Sequence, residues 1–540
     1  MSLHRRRRQK SRKGSDTLIP INNNNNDDEN SSKEKKEKEL NFRIKNSKVM
    51  GRYMVAARYF EPGEIIVSET PLVVGPCTGC KVQCLGCYQT LNQKDKYHKC
   101  KNCGWPLCSP KCSGISQYYG HSTSECNILK ETKSSNFLNY ANFDDLKINL
   151  HALVPLRCLL LKSLNPSGYE KLMNMEAHNE IRANIPEVWN GNQKTVVEKI
   201  RNDWGLLEYT EEEIHTICGI LEVNAFEIGQ NGVNIRGLYP SAFLLSHDCV
   251  PNTNHNDEEK DFRLTIRASL PISKNQPITL SYAYTLQGTL KRREHLLENK
   301  FFECMCKRCS DPTELGTFTS ALRCPKCEKG WVLSTNPLDP EAAWSCNNSQ
   351  TQESENRCPG YRVTAKSMKL LINRITQEVD SIDCNDIERM EEFLEKYRNV
   401  LHPSHYLCLG VKLSLSQLYG KINGYLINEL TDEQLTRKRE ICREIMKIFD
   451  IIEPGYTRLR GVTLYELHAP IMILTTRQYE QEDITKSELR RRLKEVVKCL
   501  EQANIILGSE SPSSAEGMMG IAAKDALEKI RNWEKIIGKF

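Results

Sequence analysis

Between Cys84 and Cys126 the sequence gathers eight side chains that bind soft metals: Cys84-x2-Cys87, Cys100-x2-Cys103, Cys108-x3-Cys112 and His121-x4-Cys126. Seven thiolates and one imidazole make two complete tetrahedral zinc sets. A two-residue gap lets both sulfurs turn toward one ion. The binding energy then becomes folding energy in a segment with little core of its own. Spacing alone leaves open which pairs share an ion. Cys77 and Cys80 form another pair just upstream, either a competing ligand pair or free thiols.

More sulfurs follow. Cys304, Cys306 and Cys309 are closely spaced, and Cys324-x2-Cys327 precedes Cys346 and Cys358 at looser intervals. The last four suggest a further zinc in a ribbon-like loop. The chain has 23 cysteines in 540 residues. Disulfide frameworks belong mostly to small secreted domains. Here the basic N-terminus leads into no apolar signal segment, and most cysteines stand as close pairs, so zinc is the better reading. Cys158, Cys218, Cys384, Cys408, Cys442 and Cys499 lie in helix-like stretches and read as buried small hydrophobes. His402 and His405 read as a loop between helices rather than a metal pair.

A second constellation lies downstream of the cysteine-rich block. Gly237-Leu238-Tyr239-Pro240 precedes Leu244-Leu245-Ser246-His247-Asp248-Cys249-Val250-Pro251-Asn252. A β-type run then ends in Thr279-Leu280-Ser281-Tyr282, and Arg292-Arg293, Phe301-Phe302 and the Cys304 group follow. Upstream stands Gly51-Arg52-Tyr53. Singly, Tyr282 would be a packed tyrosine, Phe302 core and Cys249 a buried small residue. Their joint order resembles the SET-domain signature, whose usual form is Asn-His-Ser-Cys-x-Pro-Asn. The cysteine block resembles a MYND finger and falls between the two SET halves. The chain is therefore identified as a member of the SET-MYND family, of an arthropod-type branch. The resemblance covers residues from about 45 to about 310, and the rest more loosely.

The resemblance implies methyl transfer from S-adenosylmethionine to a lysine amine of a histone or another protein. It implies Tyr282 as the catalytic tyrosine. Gly51, Arg52, Asn224, Ser246, His247, Tyr282 and Phe302 would contact the cofactor. One finger zinc would take Cys84, Cys87, Cys108 and Cys112, and the other Cys100, Cys103, His121 and Cys126. Cys249 would join Cys304, Cys306 and Cys309 on a third zinc that closes the lid of the substrate channel. Finger relatives bind proline-containing peptides, and Trp105 with Pro106 could form such a surface, although packing is the simpler role for Trp105.

Four positions depart from the family pattern. Ser246 replaces an asparagine whose amide both donates and accepts, a reach serine lacks. Asp248 replaces a serine. Lys300 stands where an aromatic wall is usual and would repel a sulfonium. Tyr53 replaces a glycine of the opening motif, where close backbone approach is usual. Two readings therefore remain: an active lysine methyltransferase, or a catalytically weak scaffold that recruits partners through its finger and helical tail as a transcriptional co-regulator.

These residues need a frame. Met54-Val55-Ala56 and Ile65-Ile66-Val67 are β-type runs parted by the turn Glu61-Pro62-Gly63-Glu64, and β-type runs return at Phe262–Ile266 and Pro277–Tyr282. One sheet domain interrupted by insertions explains this better than a string of domains. The expected fold is α+β and multidomain: a tail over 1–42, the SET N-terminal part over 43–76, the finger over 77–130, a helical insert over 131–218, the SET core over 219–302, the post-SET and ribbon-like region over 303–362, and a helical C-terminal domain over 363–540. In the last, Thr431 with Gln434 suggests a capping box ahead of Leu435, Ile441, Ile445 and Ile448 on one helix face.

Hydrophobic residues make up 39% and charged residues 27%, ordinary for a globular protein. No apolar run approaches the roughly 18 residues of a membrane span. The net charge is +6, and the excess of Arg and Lys between Arg5 and Lys13 over Asp16 accounts for all of it. The remainder is neutral, which argues against direct nucleic-acid binding. The tail, with its Asn22–Asn26 run, cannot bury a core and is expected to be disordered. Its basic cluster is compatible with nuclear import, so an intracellular site, nucleus or cytoplasm, is expected.

Overall fold

The structure is a computed structural model that describes residues 41–92, 97–131, 150–229, 233–349 and 358–537. The basic and Asn-rich stretches of the expected tail lie outside the described residues.

The chain enters as a hairpin, β1 (Phe42–Ser47) and β2 (Gly51–Ala56), whose Met54, Val55 and Ala56 are buried. Next come β3 (Ile65–Glu69) and β4 (Val73–Pro76). The finger follows, with the short pair β5 (His98–Lys99) and β6 (Pro106–Leu107), and then helix α1 (Thr123–Glu131). The helical insert includes α2 (Leu153–Leu164) and α3 (Glu211–Asn224), the latter capped by Thr210 Oγ1 on the Glu213 N–H.

Strands resume with β7 (Phe226–Ile228), β8 (Ile235–Leu238), β9 (Ser246–His247), β10 (Thr253–Asp257), β11 (Leu264–Ala268) and β12 (Thr279–Leu280). Their partners lie on both sides of the insertions. β4 pairs antiparallel with β8, Val73 opposite Leu238 and Pro76 opposite Ile235. β11 pairs with β3 on one side and β10 on the other. β9 and β12 form a parallel pair. Two sheets, β4-β8-β7 and β10-β11-β3, are thus each built from two separated stretches, as expected of an interrupted SET fold. Alternation along β11 buries Leu264, Ile266 and Ala268 in the core shared with Met54, Ile66 and Val74. Gly75 in β4 lies against α2: a Cβ there would meet Val154 Cγ2 at 2.6 Å, so the strand–helix approach excludes a side chain.

Helix α4 (Thr289–Lys300) leads from the sheets to the lid cysteines. A four-stranded antiparallel ribbon follows, β13 (Leu322–Arg323), β14 (Trp331–Ser334), β15 (Trp344–Cys346) and β16 (Arg362–Val363). The tail is helical throughout: α5 (Ala365–Asp380), α6 (Ile387–Tyr397), α7 (Tyr406–Leu418), α8 (Asp432–Ile452), α9 (Arg458–Glu480), α10 (Lys486–Leu507) and α11 (Ala515–Ile537). The Thr431–Gln434 capping box forms at the start of α8, and Leu435, Ile441, Ile445 and Ile448 are buried. The tail seats on the sheet domain. Tyr456 N–H donates to Ser269 O at 2.8 Å, Asn256 Nδ2 to Ser509 O at 2.7 Å, and Thr285 Oγ1 to Glu453.

One cysteine departs from expectation. Cys384 is exposed and sits in the turn before α6, not in a helix. Asp383 and Asp386 explain this: the first accepts the Asn385 N–H and the second caps α6, both competing with helix continuation. Cys158, Cys218, Cys408, Cys442 and Cys499 are buried.

Candidate active site and metal centres

Among the described residues, four groups of side chains could each hold a metal ion, with ligand atoms all within 4.8 Å of one another. Two lie in the finger: Cys84, Cys87, Cys108 and Cys112, and Cys100, Cys103, His121 and Cys126. The third joins Cys249 to Cys304, Cys306 and Cys309, and the fourth is Cys324, Cys327, Cys346 and Cys358. Four sulfurs bound tetrahedrally to zinc at about 2.3 Å lie about 3.8 Å apart. The Cys84–Cys112 and Cys87–Cys108 sulfurs are 3.6 Å apart, Cys100–Cys126 3.7 Å, and both Cys324–Cys358 and Cys327–Cys346 3.7 Å. The donor sets therefore fit zinc. Cys77 and Cys80 belong to none of the four groups. Nor do His402, which packs against Phe318 and Trp331, and His405, which caps α7.

The finger is locked to the rest of the protein by buried charge. His121 turns Nε2 toward the Cys103 sulfur, 3.3 Å away, and its Nδ1 lies 2.8 Å from Glu125. Glu125 is also paired with Arg157 of α2. Arg157 donates to the Val74 carbonyl of β4 at 2.9 Å and to the Tyr88 hydroxyl. Burial works against the Glu125 charge, but Arg157 and His121 together outweigh it and hold the carboxyl below its ordinary range. A carboxylate behind a ligating histidine fixes its ring and tautomer. Neither Glu125 nor Arg157 was evident from spacing alone, although the His121–Glu125 interval, one helical turn, was the available signal. Trp105 is 4% exposed and packs edge-to-face on Trp204 of the helical insert. Its role is packing.

The lid has an analogous support. Arg292 of α4 donates from Nε to the Cys249 sulfur (3.4 Å) and from Nη2 to Cys309 (3.6 Å). Its Nη1 meets Glu314 at 2.8 Å, and Arg308 meets the same carboxylate oxygen at 3.0 Å. All three side chains are buried. Burial opposes ionisation of Glu314, and the two guanidinium groups overcome it, lowering its pKa to about 2.

Beside this zinc set stand three rings. His247 lies 5.3 Å from Tyr282 and 5.8 Å from Phe302, centroid to centroid, and Tyr282 lies 6.4 Å from Phe302. The parallel β9–β12 pair positions two of them, and the C-terminus of α4 delivers Phe302. The Tyr282 N–H donates to His247 Nδ1 at 3.0 Å, and its hydroxyl donates to the Leu245 carbonyl. His247 Nε2 lies 3.2 Å from the Cys249 sulfur. Burial lowers the His247 pKa to about 4 and raises that of Tyr282, keeping both neutral.

The remaining sequence candidates stand in separate settings. Ser246 Oγ is buried with no hydrogen-bond partner among the described residues. Asp248 accepts the Val250 N–H at 2.8 Å, and burial raises its pKa. Asn224 Nδ2 donates to Glu176 O and Ile220 O. Lys300 is the last residue of α4, and its Nζ donates to the carbonyls of Glu222 (2.8 Å) and Val223 (3.1 Å). Its charge thus sits on the C-terminal carbonyls of α3, where a cation is favoured, and burial lowers its pKa. Gly51 adopts φ +62°, and an added Cβ there would meet nothing within 4 Å. Arg52 bonds to the Asn174 carbonyl and lies over the Phe243 ring.

An interrupted sheet, a ring cluster and a sulfur-bound lid define a zinc-bearing SET-domain protein. A SET-domain family profile matches residues 51–283. The SET domain-containing protein SmydA-8, isoform A, of Drosophila melanogaster is 27% identical over 443 residues, covering 80% of this chain and 89% of that protein. Histone-lysine N-methyltransferase ASHR1 of Arabidopsis thaliana is 24% identical over 445 residues, covering 78% and 85%. Human histone-lysine N-methyltransferase SMYD3 is 27% identical over 279 residues, covering 48% and 59%. The chain thus carries a SET domain and is similar to SmydA-8 over most of its length. Among the described residues no helix is long and apolar enough to cross a membrane.

Proposed function

We propose that this protein is an S-adenosylmethionine-dependent protein-lysine N-methyltransferase, acting inside the cell on lysines of histones or other proteins. The observation that carries the reading is the joint placement of Tyr282, His247 and Phe302 against the Cys249 zinc set. The names of the plant and human relatives support the same class. The open space at Gly51 and the orphaned Ser246 hydroxyl fit a bound cofactor, with Gly51, Arg52, Asn224, Ser246, His247 and Phe302 around it. When bound, S-adenosylmethionine supplies an electrophilic methyl group.

The protein's part is alignment and desolvation. Methyl transfer is an in-line displacement that gains from fixed geometry more than from acid–base strength. The target amine must be unprotonated, and partly buried rings favour the neutral amine. The Tyr282 hydroxyl spends its proton on Leu245 O, which leaves its oxygen as an acceptor toward the amine. The lid and the helical tail wall the approach of a protein substrate.

A second reading, a weak or inactive scaffold, is favoured by Ser246, Asp248 and Lys300. Calorimetry with S-adenosylmethionine and transfer of labelled methyl to histones and cell protein separate the two. Micromolar binding, with label transfer abolished by Tyr282→Phe, supports the enzyme. Absence of binding that returns with Ser246→Asn or Lys300→Tyr supports the scaffold.

A further inference from the structure

Strand β3 ends at Glu69, and the backbone its carboxylate holds lies 172 positions further along the chain, beyond the finger and the helical insert. Glu69 Oε1 accepts the N–H of Ser241 at 2.9 Å and that of Ala242 at 2.8 Å. These two residues open a single turn of 3-10 helix, Ala242–Leu244, which no Ser241 side-chain bond caps. The first N–H groups of such a turn lack partners within it, and a carboxylate is a strong acceptor for them. Burial opposes the Glu69 charge, and these two N–H bonds act against burial more than Lys171 does. The carboxylate is thus spent on the backbone of this turn.

The turn leads straight into the ring cluster. Ala242 is held at both ends: its N–H by Glu69, and its carbonyl by the Leu245 N–H at 3.1 Å. The Leu245 carbonyl in turn accepts the Tyr282 hydroxyl. Ser246 and His247 follow as β9. A relay therefore runs from Glu69 through Ala242 and Leu245 to Tyr282, and it joins the sheet half before the insertions to the half after them.

We propose that Glu69 is a positioning residue for methyl transfer, pinning the Ser241–Ala242 turn so that the Leu245 carbonyl keeps the Tyr282 hydroxyl in its bonded orientation. The inference rests on the methyltransferase reading above. What the relay demands of residue 69 is reach. Glu69→Asp keeps the charge but is one methylene short of the two N–H groups, whereas Glu69→Gln keeps an oxygen at the same distance.

The test uses full-length, zinc-loaded protein carrying ring-carbon-labelled tyrosine, with the Tyr282 resonance assigned by its loss in Tyr282→Phe. Glu69→Asp is expected to move that resonance and to lower kcat for labelled methyl transfer to histones about tenfold, and Glu69→Gln to lower it about two- to threefold. KM for S-adenosylmethionine should change less than kcat, because Arg52 is held by the Asn174 carbonyl as well as by the Phe243 ring on this turn. Zinc content reports that each variant is folded. In the wild type the Ser241 and Ala242 amides should be protected from hydrogen exchange, and rapid exchange of both overturns the proposal whether or not any variant folds. An unmoved Tyr282 resonance in Glu69→Asp, or an Asp variant as fast as an active wild type, also overturns it. If Glu69→Asp moves the resonance while the wild type itself transfers no methyl, the relay stands and the methyltransferase reading falls.

Discussion

The backbone N–H of Tyr282 donates to Nδ1 of His247 across 3.0 Å. This one bond fixes the imidazole tautomer, places the proton on Nε2, and aims it at the Cys249 sulfur 3.2 Å away. His247 therefore joins the ring cluster to the lid zinc set by hydrogen bonds, beside the packing of Tyr282 and Phe302 on the same cysteines.

His247→Asn keeps an acceptor for the Tyr282 N–H and loses the contact to Cys249, whereas His247→Ala loses both. Calorimetry should show S-adenosylmethionine binding weakened about tenfold by alanine and less by asparagine, since one hydrogen bond is worth about 1 kcal/mol. Equal losses in the two variants would mean the Tyr282 bond carries nothing.

Arg292→Leu strands the buried Glu314 with Arg308 alone and removes two donors from lid sulfurs. Chemical denaturation should register a loss of about 3–5 kcal/mol. Competition with a chromophoric chelator should find one zinc held about 10–100-fold more weakly.

Glu314 also sets an acid limit. Its folded pKa, about 2, lies below the ordinary carboxyl value of 4.5. The stability it contributes is thus complete above that ordinary value and is lost as pH falls toward the folded one. The contribution at neutral pH is about 3 kcal/mol. Zinc thiolates protonate in acid as well, so the readout is the difference between wild type and Glu314→Gln. The gap in denaturation midpoint should narrow steadily below pH 4.5, and a constant gap would refute the assignment.

Plasma mass spectrometry of metal content should return about four zinc ions per chain. Cys346→Ser should remove one of them without altering the finger. Glu125→Gln should instead loosen the His121 site, about 10–100-fold in affinity.

Lys300→Met leaves the Glu222 and Val223 carbonyls unsatisfied at the end of α3. A destabilisation of about 1–2 kcal/mol is expected in thermal or urea unfolding. A neutral result would place water, not Lys300, as their effective partner.

The metal sets were legible because a zinc site written as Cys-x2-Cys is almost a local property of the chain. The sheet was legible as an interrupted β pattern, since apolar runs such as Met54–Ala56 and Leu264–Ile266 carry their own periodicity. What stayed hidden were partners chosen by packing. Arg157 reaches Glu125 and Val74 only once α2 lies on β4, and Glu314 meets Arg292 and Arg308 only when the lid folds back on α4. Lys300 illustrates the same limit: sequence order placed a charge in the pocket wall, but not the helix end that takes it up. Cys384 shows the converse, where Asp383 and Asp386 broke a helix that residue type alone suggested.

The pairing of β4 with β8 has a consequence for synthesis. Val73 leaves the ribosome long before Leu238, its partner. At bacterial or eukaryotic elongation rates the interval is on the order of ten seconds or more. Throughout it β4 has no β8 edge to pair with, while every finger ligand from Cys84 to Cys126 has already emerged. The finger's ligands are therefore open to metal before the sheet is able to close.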